Sequence, residues 1–156
     1  MRTKIILFVL ILGGCATPYQ EMGITGGVAA QRMTTDTYRI LARGNAYTGA
    51  TAIQDYTLLK AAEATKQAGA THFAIISASD ASRAGAIVIP GQAQTSVVGN
   101  TAFTTYTPAT AHNFIKPGQD TYIRVFTIPA GKLPPQGVLA ADEIIQFVGS
   151  RVKRSE

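Results

Sequence analysis

The chain has one cysteine, Cys15, placed directly behind an apolar run at positions 5–12 and two glycines. With a single thiol no disulfide can form within the chain, so a domain in an oxidising compartment must be held by its core alone. The run is eight residues long, about 12 Å as a helix against a hydrocarbon core of about 30 Å. It is too short to span a membrane. With Arg2 and Lys4 before it and Gly13 and Gly14 after it, the run has the parts of an export signal: a positive start, an apolar centre and small residues at the cleavage point.

Leu12-Gly13-Gly14-Cys15 resembles the lipobox of bacterial lipoproteins, with a large aliphatic residue three positions before the cysteine and small residues between. The resemblance implies cleavage between Gly14 and Cys15, leaving 1–14 as a signal peptide and Cys15 as the lipidation site. The thiol would take diacylglycerol, and the freed amine a further acyl chain such as palmitate. Each buried CH2 contributes about 0.8 kcal/mol, and one chain alone binds a membrane only marginally. Several chains give permanent anchorage. Ala16 stands where an aspartate would signal inner-membrane retention, so the expected location is the outer membrane, facing the periplasm. No cofactor beyond these covalent chains is expected.

Removing the signal from 156 residues leaves 142, enough for one hydrophobic core. Apolar residues make up 46% of the chain, but much of that is alanine and tryptophan is absent, so the core should be small. The formal charge of +5 falls to +3 once Arg2 and Lys4 leave, and Arg151, Lys153 and Arg154 account for that excess. Nucleic acid is therefore not an expected partner, because it requires a basic face carrying aromatics.

Residues 15–35 contain Pro18 and several glycines without periodicity, and read as a lipidated N-terminus on a flexible tether reaching about 25 Å. A single domain is expected from 36 to 156. Tyr38, Ile40 and Ala42 alternate with Arg39, Leu41 and Arg43 in a strand over 36–46 that ends at Gly44-Asn45. Ile53, Tyr56, Leu59 and Ala62 fall at helical spacing over 52–68, with Thr48 or Thr51 as N-cap, Asp55 in the first turn, Lys66 in the last and Gly69 as the stop. A strand over 71–79, apolar on both faces, is expected to lie centrally. The stretch 80–119 is rich in Gly, Ala, Thr and Ser with few charges, and is expected as a mobile hairpin or long loop with short strands at 86–89 and 101–106. A further strand covers 121–128. A final helix over 140–153 carries Ile144, Ile145, Phe147, Val148 and Val152 on one side. Strand, helix, strand, insertion, strand, helix describes an α+β fold, a small antiparallel sheet of three or more strands packed with two helices.

Cys15-Ala16-Thr17-Pro18-Tyr19-Gln20, Arg43-Gly44-Asn45 and the helix motif Asp55-Tyr56-Thr57-Leu58-Leu59-Lys60-Ala61-Ala62-Glu63 resemble a family of small uncharacterised bacterial envelope lipoproteins. The likeness covers about 15–79. It implies location and fold and carries over no catalytic residue.

No constellation of residues assembles an active site. His72 and His112 are forty residues apart with no second cysteine, which does not make a metal site. Ser77, Ser79, Asp80 and His72 are close in sequence but lie in no Gly-x-Ser-x-Gly elbow. Gly23 to Gly27 lacks the lysine of a phosphate loop. Asp55, Tyr56, Lys60 and Glu63 are the candidate binding residues, weighed against a packing role with Tyr56 on the sheet and Glu63 paired with Lys66. The expectation is a non-enzymatic structural or protein-interaction module, joined to the membrane by its anchor and in contact with envelope proteins. The alternative is peptidoglycan binding, because strand, Gly-Asn turn and helix also resemble part of an OmpA-like domain.

Overall fold

Strands that alternate apolar and polar residues need a second layer over one face, and two helices supply it here. The computed structural model of the chain describes residues 15–155. In order these form β1 (Gly27–Arg32), β2 (Thr37–Arg43), α1 (Ala50–Gln67), β3 (His72–Asp80), β4 (Arg83–Ile89), β5 (Gln92–Val98), β6 (Thr101–Thr107), β7 (Thr110–Lys116), β8 (Gly118–Phe126), β9 (Val138–Ala140) and α2 (Ala141–Phe147). The fold is α+β. Leu12, Gly13 and Gly14, expected as part of a lipobox, lie like the rest of 1–14 outside the described residues.

One antiparallel sheet runs in the order β1-β2-β8-β3-β9. Its middle strand, β8, buries Thr121, Ile123 and Val125 towards the helices. Beneath α1 the core divides in two. Ile40, Phe73, Ile123 and Val125 meet Ala61, Ala62 and Ala64, whose small side chains let the helix lie close to the sheet. Tyr19, Val28, Ala42, Ile53, Tyr56, Leu59 and Val148 form the second cluster.

Several expectations need correction. Residues 16–35 are not a tether: β1 pairs with β2 along its length, from Gly27 opposite Arg43 to Arg32 opposite Tyr38, and Thr17, Tyr19 and Val28 are buried. The N-cap of α1 is Gly49, with no side-chain capping bond, so Asp55 lies beyond the first turn. The hydroxyl of Thr48 instead donates to Asn45 Oδ1 at 3.0 Å. β3 is central only at His72, Phe73 and Ala74, where β9 covers it; at the bulge between Ile75 and Ser77 both Ile75 and Ile76 are exposed. The last helix stops at Phe147, which is exposed, and the chain then turns at Gly149.

The expected loop at 80–119 is built almost wholly of strand. β4 pairs with β7 and β5 with β6, and one register runs without a slip from Ser77 opposite Tyr122 to Val98 opposite Thr101. The ladder breaks near Pro90, Pro108 and Pro117, where a proline ring has no N–H to donate. At the tip Gly99 has φ +64° and Asn100 does not have positive φ, the pattern of a two-residue turn that matches strand twist. From Arg83 to Val98 the arm is about 50 Å long at roughly 3.3 Å per residue. All of β5 and β6 is exposed.

Core and arm should therefore respond differently to substitution. Phe73→Ala is expected to lower unfolding free energy by roughly 3–5 kcal/mol in urea denaturation, whereas Phe103→Ala on the arm should change it by less than about 0.5 kcal/mol. Equal losses would contradict this division.

Candidate functional site

Cys15 is exposed, and its backbone carbonyl accepts a hydrogen bond from Asn45 Nδ2 at 2.7 Å. The next residues are clamped. Thr17 N–H donates to Thr48 Oγ1 at 3.0 Å, and Thr17 Oγ1 donates to the Thr25 carbonyl at 2.9 Å. Asn45 N–H donates to Thr17 Oγ1 at 3.1 Å, while the Tyr56 hydroxyl donates to the Thr17 carbonyl at 2.9 Å. Tyr19 N–H then donates to the Lys153 carbonyl at 2.8 Å and Ser155 N–H to the Tyr19 carbonyl at 3.2 Å, so the segment lies parallel beside the C-terminal tail.

The candidate residues on α1 hold these segments in place. Tyr56, Lys60 and Glu63 fall at i, i+4 and i+7, one stripe of the helix. Lys60 pairs with Glu21. Glu63 accepts from the Tyr19 hydroxyl at 2.5 Å and pairs with Arg154 at 2.9 Å, not with Lys66, which meets Asp142. The Tyr19 ring meets Tyr56 edge-on with centroids 5.6 Å apart, and Arg154 stacks over it. Asp55 pairs with Arg151 at 2.8 Å. Both of these charged candidates, Asp55 and Lys60, are directed at partners within the chain.

Glycines shape the same region for reasons of space. Gly23 and Gly26 exchange backbone hydrogen bonds of 3.0 and 3.2 Å across a tight turn. A Cβ on Gly26 would collide with the Arg43 carbonyl, and one on Gly27 would sit 2.6 Å from the Glu21 carbonyl; both residues have positive φ. The turn exposes Met22 and, fully, Ile24.

Behind it lies a basic cleft at the root of the arm, lined by Arg43, Arg83 and Lys116 with Met22, Ile24 and Asn45 among its neighbours and no acidic residue. A second hollow, sharing Asn45 and Lys116, brings Cys15 beside Tyr47, Ile87, His112 and Phe114. Cys15 therefore faces the root of the arm across this hollow. Nearby, Asp120 pairs with Arg39 and Arg43, each at 2.6 Å. Burial pushes its carboxyl up, but the hydrogen bonds and charges of both arginines outweigh this and hold it below the usual carboxylate range.

The serine and histidine residues do not converge. His72 Nδ1 contacts Thr71 Oγ1 at 2.7 Å at one end of β3. Ser79 and Asp80 lie at the other, seven or more residues along the strand and so about 23 Å or more away. His112 is on the arm, and among the described residues no group of three or more His, Cys, Asp or Glu is placed to hold a metal ion. Sequence reasoning missed Thr17, Asn45 and Thr48 as a unit; Gly44-Asn45 was the visible trace of it. No protein-family model, curated protein or solved structure matches the chain.

The clamp has an alkaline signature. Burial, then the hydrogen bond to Glu63, pushes the Tyr19 hydroxyl far above its ordinary value near 10. Its contribution to stability is present below about pH 10 and is lost as pH rises, because only the unfolded chain ionises it readily. In an alkaline titration followed by phenolate absorbance, wild type and Tyr19→Phe should coincide while the sheet persists, and wild type should gain one extra phenolate on unfolding. An extra phenolate in the folded wild type would refute the buried contact.

Proposed function

We propose that the chain is a lipid-anchored lipoprotein of the bacterial envelope, held at the outer membrane by acyl chains on Cys15 and facing the periplasm. The observation that carries the reading is Leu12-Gly13-Gly14-Cys15 behind a short positive and apolar segment. The exposure of Cys15 at the start of the folded residues supports it, since acyl chains there meet no packed core. The folded part acts by contact with other envelope proteins rather than by catalysis. What supports this is the use of Asp55, Tyr56, Lys60 and Glu63 as internal ties, together with a long exposed arm.

Wild-type protein is expected to incorporate labelled palmitate and fractionate with outer membranes, and Cys15→Ala to remain an unprocessed precursor without label. Palmitate in the Cys15→Ala protein, with normal fractionation, would overturn the anchor. Sedimentation with purified sacculi separates protein contact from peptidoglycan binding, since the proposal predicts that detergent-extracted protein stays in the supernatant.

A further inference from the structure

Residues 84–115 contain no Lys, Arg, Asp or Glu. They form a ribbon with two free edges, although a two-stranded hairpin is marginal alone in water and long uncharged edges invite pairing. Within the constant register, one face carries Ile87, Ile89, Ala93, Val97, Tyr106 and Phe114. The opposite face carries Gln92, Gln94, Ser96, Thr105 and Thr107 towards the tip, with Phe103 and Val98 among them, and Ala84, Ala86, Ala111 and Asn113 nearer the root, with Val88 and Ile115 among them. Ile87, Val97 and Tyr106 are each well over half exposed.

Three observations at the root say what covers this ribbon. Cys15 shares a hollow with Ile87, His112 and Phe114, all on the apolar face, so chains attached to its sulfur emerge beside that face. Arg83 and Lys116 stand directly opposite each other across β4 and β7, and like charges so placed repel unless an anion lies between them. Arg43 lines the same cleft with its guanidinium paired to Asp120, which leaves Arg83 and Lys116, with no acid in the lining, as the cations that fit a lipid phosphate. The uncharged length begins at this basic ring. From Ala84 to Val98 it measures about 50 Å, or about 38 Å along the normal at a strand tilt of roughly 40°. A hydrocarbon core needs about 30 Å.

We propose that the arm is a membrane-inserting hairpin that contributes two strands to a β-barrel formed with further copies of this chain. The inference rests on the lipid-anchor reading for the position of the bilayer. Ile87, Ile89, Ala93, Val97 and Tyr106 face lipid, Gln92, Gln94 and Ser96 face the lumen with Val88, Phe103 and Ile115 filling part of it, and Arg43, Arg83 and Lys116 lie at the headgroups with exposed Tyr47. Backbone groups in hydrocarbon must all be paired, so each free edge takes the arm of a neighbouring copy. The smallest membrane barrels have eight strands, which requires about four copies or more. No helix among the described residues is long and apolar enough to cross a membrane.

The test uses full-length protein purified from envelopes and reconstituted in phosphatidylethanolamine and phosphatidylglycerol vesicles. Single substitutions Gln92→Cys, Ala93→Cys, Gln94→Cys, Thr95→Cys, Ser96→Cys and Val97→Cys are labelled with an environment-sensitive fluorophore and challenged with lipid-borne nitroxide quenchers. Quenching is expected to alternate, several-fold stronger at 93, 95 and 97 than at 92, 94 and 96, and crosslinking should give tetramers or larger only in vesicles. Uniform quenching, uniform water exposure or a monomer in vesicles would overturn the proposal, water exposure favouring a protein partner instead. Wild-type protein reads the other claim separately: acylated Cys15 takes no label. If Cys15 is labelled, the anchor reading fails and the arm is judged by the same alternation in a Cys15→Ser background.

Discussion

The rest of the structure depends on the hydrogen-bonded clamp that Thr17 makes with Thr25, Asn45, Thr48 and Tyr56. Three of these partners are fixed by the fold: Asn45 and Thr48 lie between β2 and α1, and Tyr56 is packed in the core. Buried polar groups are costly unless paired, so the nearly complete exposure-free environment of Thr17 is tolerable only while each partner is present. From this point the chain enters β1 in one direction and leads back to Cys15 in the other. The position of Cys15 is thereby set by the domain, not by a spacer.

A second consequence concerns charge. Basic residues of the C-terminal tail, which looked like a surplus, are in part spent on α1: Arg151 meets Asp55 and Arg154 meets Glu63. These pairs are partly exposed, so each contributes little alone. Together with Lys60 and Glu21 they tie both ends of the domain to α1. The cations left without acidic neighbours in their cleft are Arg83 and Lys116, gathered with Arg43 where the uncharged arm begins.

How much of this was legible follows from where contrast exists. β8 and α1 bury one face and expose the other, so Thr121, Ile123 and Val125, or Ile53, Tyr56 and Leu59, stand out by period. The arm buries neither face within the chain, so its residues show no contrast of buried against exposed positions, and only the turn residues Gly99-Asn100 and the interrupting prolines mark it. The clamp was hidden for another reason. Its bonds join residues up to thirty-nine apart through hydroxyls and an amide, groups with no periodic signature, and the glycines that looked like flexibility are required by close backbone approach at Gly26 and Gly27. The same polar stripe on α1 that resembled a binding surface was turned inward by partners from both ends of the chain.

The direct test of the account is amide hydrogen exchange across residues 17–28, resolved by NMR. Thr17, Tyr19, Met22 and Val28 donate backbone hydrogen bonds to Thr48, Lys153, Val28 and Gln20 respectively, and their exchange is predicted to be slowed by orders of magnitude, close to the protection of β8. Exchange of these amides at the rate of an unstructured peptide, while Ile123 and Val125 remain protected, would contradict the clamp and return the segment to a tether.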